Sequence, residues 1–75
     1  MKITISEANE ILNEVLSLYP DVDFSSEEKA DLIIVAMDAA LNSTSKNGPK
    51  GYVKGAIINC IRPKLKDHIM NKIGG

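Results

Sequence analysis

Cys60 and His68 are the chain's single cysteine and single histidine, the two side chains that a nucleophile and its base would need. Eight residues separate them. On one helix that spacing is about 12 Å along the axis, against a hydrogen-bond reach of about 3 Å. A bend at the intervening Pro63 alters the distance only in part. The acidic residues form no pair whose environments would drive their acidities apart, and no carboxylate cluster joins the histidine in a metal-ligand pattern. One cysteine cannot close an intramolecular disulfide, and one cysteine with one histidine cannot make a structural zinc site. The sequence therefore predicts no enzyme, no cofactor and no metal. Cys60 then reads as a small core residue on an apolar helix face.

What chemistry remains is charge. The net charge of −1 conceals two opposed halves. Residues 1–45 hold nine acids against two lysines, a net −7, and residues 46–75 hold seven bases against Asp67 alone, a net +6. The basic half opens on Gly48-Pro49-Lys50-Gly51. Glycines let a backbone approach a ligand closely, a helix start offers free N–H groups, and Lys50 and Lys54 add positive charge. Gly48, Lys50, Gly51, Lys54, Arg62, Lys64, Lys66 and Lys72 are thus the candidate contacts to a DNA or RNA backbone. The same asymmetry fits a second class of function. An acidic half and a basic half can neutralise each other within one chain, between subunits of a homo-oligomer, or against a protein partner, which describes an interaction module.

Two short strings in the basic half resemble known families. Gly48-Pro49-Lys50-Gly51 is similar to the GxxG loop of KH nucleic-acid-binding domains, which joins two helices and clamps the nucleic-acid backbone. KH domains surround that loop with a sheet, and no strand pattern is present in this sequence. The longer string from Asn47 to Asn59, NGPKGYVKGAIIN, resembles an Asn-Pro-x-x-Tyr segment of helical replication-accessory and phage replisome-organiser proteins of Gram-positive systems. That resemblance implies DNA and replisome contacts, a phage or mobile-element setting, and matched positions at Asn47, Tyr52, Ile57 and Asn59. Here Pro49 follows a glycine where the family has asparagine. Residues 26–42 and 50–61 are also a candidate helix-turn-helix pair, although their connection of about seven residues exceeds the usual three or four. Residues 53–61 offer mainly Lys54 and Asn59 for reading bases. Read without any ligand, the glycines punctuate a helix start, with Gly55 at a close helix–helix contact.

The elements that must position these residues are helices. Thr4-Ile5-Ser6-Glu7 and Ser25-Ser26-Glu27-Glu28 both have the capping-box spacing, with Ile3 placed as a hydrophobic staple for the first. The first helix is expected over 5–18, with Ala8, Ile11, Leu12, Val15, Leu18 and Tyr19 on one face and Glu7, Glu10 and Glu14 on the other. Pro20 stops it. The second, over 26–42, is apolar around most of its circumference and is expected to pack on more than one side. After the polar linker at 42–47, a third helix over 50–61 should bury Val53, Ala56, Ile57, Cys60 and Ile61. Pro63 should kink or end it, because proline removes a backbone donor and its ring meets the carbonyl four residues back. A basic segment over 64–73 follows, with Leu65, Ile69 and Ile73 in one packing column. The expectation is an all-α fold, a single small domain over residues 1–75 built as a three- or four-helix bundle. With 75 residues its core leaves a narrow stability margin, which keeps a homo-oligomer open. No apolar run approaches membrane-spanning length, and the start of the chain lacks the pattern of a secretory signal, so a cytoplasmic location without membrane contact is expected.

Overall fold

The computed structural model describes residues 2–43 and 50–74. They form three helices, α1 (Ile5–Leu16), α2 (Ser26–Asn42) and α3 (Lys50–Gly74), and among the described residues there is no strand. The all-α expectation holds. Gly48 and Pro49, with Asn47, lie outside the described residues.

Both capping boxes form. The Thr4 hydroxyl accepts the Glu7 N–H at 3.1 Å while the Glu7 carboxylate accepts the Thr4 N–H at 3.0 Å. At α2 the Ser25 hydroxyl accepts the Glu28 N–H at 3.1 Å, and Glu28 Oε1 accepts the Ser25 N–H at 2.9 Å. Each box satisfies two N–H groups that a helix start otherwise leaves orphaned, and losing such a cap costs about 1 kcal/mol.

α1 ends two residues earlier than the apolar spacing suggests. Beyond Leu16 the chain tightens into bonds spanning three residues, with Leu18 N–H donating to the Val15 carbonyl at 3.1 Å and Tyr19 N–H to that of Leu16 at 3.0 Å. The tighter winding carries Leu18 off the buried face and leaves it 65 % exposed. Tyr19 stays half-buried against the core.

That core is the meeting line of the three helices. Ala8, Ile11, Leu12 and Val15 of α1 close on Leu32, Ala36, Ala39 and Ala40 of α2 and on Val53, Ile57 and Ile61 of α3. Leu12, Val15, Val53 and Ile57 are fully enclosed, each contributing roughly 1.5–3 kcal/mol by leaving water. Alanines at 36, 39 and 40 put little bulk between α2 and its two neighbours, so the helices approach closely there. The opposite side of α2 remains bare: Ile34 is 64 % and Leu41 54 % exposed.

The C-terminal third differs most from expectation. Of the kink or break expected at Pro63, the break does not occur: one helix of 25 residues runs through it. Proline leaves the Asn59 carbonyl without its helical donor, but Asn59 and Pro63 both face solvent, where water can take that bond. The turns on either side are anchored by Ile61 in the core and half-buried Leu65 against it. Packing outweighs the local penalty. At about 1.5 Å per residue α3 is about 37 Å long, whereas the 12 residues of α1 and 17 of α2 reach about 18 and 25 Å. Its last turns therefore overrun both neighbours, consistent with a longest dimension of 43 Å against 23 and 16 Å for the others. The expected packing column stops at Leu65: Ile69 is 54 % and Ile73 81 % exposed, because none of the described helices lies opposite them.

Candidate functional site

The cations of α3 divide into two groups. Lys50 and Lys54, one turn apart, converge on a single carboxylate of α1: Lys50 Nζ lies 3.0 Å from Glu14 Oε1 and Lys54 Nζ 2.8 Å from Glu14 Oε2. Hydrogen bonds from Lys54 first and Lys50 second hold the pKa of the Glu14 carboxyl below the usual carboxylate range. Lys64 reaches α2, with Nζ donating to Glu28 Oε2 at 2.7 Å and Oε1 at 2.9 Å. The Lys64 hydrogen bond, followed by that from the Ser25 backbone, pulls the Glu28 pKa down to about 2. The same ammonium sits 4.6 Å from the centre of the Phe24 ring, which tethers the 21–25 connection beneath α3. Glu28 thus caps α2 and binds α3 with one side chain.

Three of the six cations expected to meet phosphate are therefore spent inside the chain. Arg62, Lys66 and Lys72 are exposed and have no acidic partner among the described residues. Gly51 lies exposed in the first turn of α3, and Gly48 falls outside the described residues. Gly55 does not sit at a helix–helix contact: a Cβ built there meets nothing within 4 Å, and the same holds at Gly51. Of the positions matched to the replisome-organiser string, Ile57 is core, while Tyr52 and Asn59 are exposed and share a shallow notch with Gly55 and Ala56.

Arg62 and Lys66 border a wide concavity. It is an open groove of about 720 Å³ between the end of α1 and the C-terminal half of α3, floored by Tyr19, Ile58, Leu65, Ile69 and Met70. A second hollow next to it, formed by Leu18 and the 19–22 turn with Leu65, His68 and Ile69, extends the apolar surface across the helix end. Sequence reasoning assigned Leu18 and Ile69 to the interior and passed over Met70. The signal was present in the lengths: the apolar column runs on for more turns than the first two helices can cover.

Cys60 is also not a core residue. It is exposed, at the edge of a hollow shared with Phe24, Leu32 and Lys64. Position 60 follows three residues after Ile57 and precedes Ile61, and the i, i+4 ridge of Val53, Ile57 and Ile61 turns it outward. Cys60 and His68 stand on the same uninterrupted helix, eight residues apart. Among the described residues no three His, Cys, Asp or Glu side chains gather as a metal site, and no helix is long and apolar enough to cross a membrane. Compared with protein-family models, curated proteins and solved structures, the chain finds no match in any of the three.

Proposed function

We propose that this protein is a non-enzymatic, cytoplasmic interaction module that seats an acidic, amphipathic helix of a protein partner along the C-terminal half of α3. The observation that carries this reading is the open apolar groove edged by Arg62 and Lys66. A helix laid into such a groove buries its apolar residues against Tyr19, Leu65, Ile69 and Met70, and its flanking carboxylates meet the two cations. The charge gives orientation and speed of encounter, and the apolar floor gives the larger share of affinity.

A fluorescein-labelled model helix with leucines at i, i+3, i+4 and i+7 and glutamates elsewhere is the probe. Anisotropy should saturate with a dissociation constant of roughly micromolar to hundreds of micromolar. Ile69→Asp with Met70→Asp should weaken it about tenfold or more, and because both side chains are already exposed the fold should survive. Absence of saturable binding, or indifference to the double substitution, overturns the reading.

A second reading, contact with a DNA or RNA backbone, is favoured by the exposed cations Arg62 and Lys66 standing one turn apart on α3 with Lys72 beyond them. The replication-accessory role in phage or mobile elements implied by the Asn47–Asn59 string belongs here. Neutralising three phosphates gives a slope of log affinity against log salt of about −2.7, whereas six, with Lys50, Lys54 and Lys64 released from their glutamates, give about −5.4. A titration with labelled duplex at low salt measures this, and a flat response eliminates it.

A further inference from the structure

α2 and α3 carry the same three-residue pattern in opposite charge. On α2, Glu27, Asp31 and Ile34 stand at i, i+4 and i+7; on α3, Arg62, Lys66 and Ile69 repeat that spacing. All six face solvent. Residues at these intervals fall on one side of a helix, so each triplet is a short row with its charges toward the N-terminus and its isoleucine toward the C-terminus. Set parallel and level, the rows match carboxylate to cation twice and isoleucine to isoleucine once. Further along, Leu41 on α2 and Ile73 on α3 are exposed as well, and exposed Asp38 stands on α2 at the position level with Ile73.

We infer that the acidic helix seated on α3 is α2 of a second copy of this chain. This rests on the reading of the groove as a helix-docking site and names its occupant. The charges decide between arrangements. Two α2 rows set parallel and level would oppose Glu27 and Asp31 to their own kind, two α3 rows would do the same with Arg62 and Lys66, and turning either self-pair antiparallel would set charge against isoleucine. Pairing α2 with α3 is the arrangement that removes both exposed apolar rows while opposing unlike charge. Because donor row and acceptor groove are different surfaces, the contact is heterologous, and each added copy presents a further row and groove unless a ring closes.

The test uses the whole chain in analytical ultracentrifugation over a concentration series. Weight-average mass should start near the single-chain 8.1 kDa and climb with concentration, and raising salt from about 0.05 to about 0.5 M should reduce the climb. Arg62→Glu with Lys66→Glu, and separately Glu27→Lys with Asp31→Lys, should each weaken self-association about tenfold or more. Mixed in equal amounts the two variants should associate again, because the acidified groove of one fits the basic row of the other. Asp31→Lys with Asp38→Lys replaces the second variant if circular dichroism shows that changing Glu27, in the first turn of α2, disturbs folding. Association by the native chain that mixing does not restore overturns the pairing. A native chain that stays single while the model helix still binds its groove overturns the second copy as occupant and leaves the docking reading standing. Loss of both signals overturns both.

Discussion

Replacing Gly55 with alanine separates two accounts of the basic helix by the sign of the effect. A glycine kept for a close helix–helix contact leaves no room for a methyl, and overpacking such a contact costs about 1–3 kcal/mol. The structure places Gly55 inside α3, exposed, and apart from the adjoining backbone of its own helix nothing lies within 4 Å of the position a Cβ would take. There the substitution relieves glycine's backbone entropy cost and nothing opposes it. Glycine in a helix interior is about 0.8–1 kcal/mol less favourable than alanine, so Gly55→Ala should stabilise by about that amount. For a chain of 75 residues each kcal/mol raises the melting temperature by about 4–8 °C, so the expected rise is roughly 3–8 °C. Far-UV circular dichroism during heating reads the shift. A parallel urea titration should move the midpoint at unchanged slope, which ties the change to stability rather than to compactness. A lowered melting temperature would refute the open placement of Gly55 and reinstate the helix contact.

Three other perturbations test the remaining joints of the fold. Pro63→Ala restores a donor for the Asn59 carbonyl inside a continuous helix and should stabilise by roughly 1–3 kcal/mol in the same melts; a loss would mean that the packing of Ile61 and Leu65 depends on the proline. Glu28 has its pKa lowered from 4.5 to about 2, so its share of stability is complete above pH 4.5 and disappears as the pH falls toward 2. Urea midpoints should decline across that interval and decline less steeply in Glu28→Gln, and equal slopes in the two proteins would contradict the Lys64–Glu28–Ser25 linkage. Exposed Cys60 should react stoichiometrically with Ellman's reagent in the absence of denaturant, and protection until unfolding would return it to the core.

Local signals account for the parts that the chain announces by itself. Thr4 with Glu7 and Ser25 with Glu28 sit at the spacing their hydrogen bonds require, and a capping box closes within four residues whatever surrounds it. The apolar positions from Ala8 to Val15 recur at helical spacing and are buried for that reason. The charge imbalance was equally plain, and its partial cancellation inside the chain was one of the alternatives it left open. Which cation would go to which acid was not readable. Glu14 and Lys50 are distant in sequence, and only the side-by-side packing of α1 and α3 brings Lys50 and Lys54 to one carboxylate.

The sequence alone determined where helices start, that the fold is helical, and that positive charge gathers at its end, because caps, periodicity and composition act over a few residues. The tertiary structure decided what those features are for. Whether Pro63 breaks a helix depends on what holds the turns around it, and Ile61 and Leu65 hold them. Whether Ile69 and Ile73 are core or surface depends on how far the neighbouring helices reach, and α1 and α2 stop short. Burial is a property of what lies opposite a side chain. No pattern along α3 could state that Lys64 is engaged while Arg62 and Lys66 border an open apolar groove.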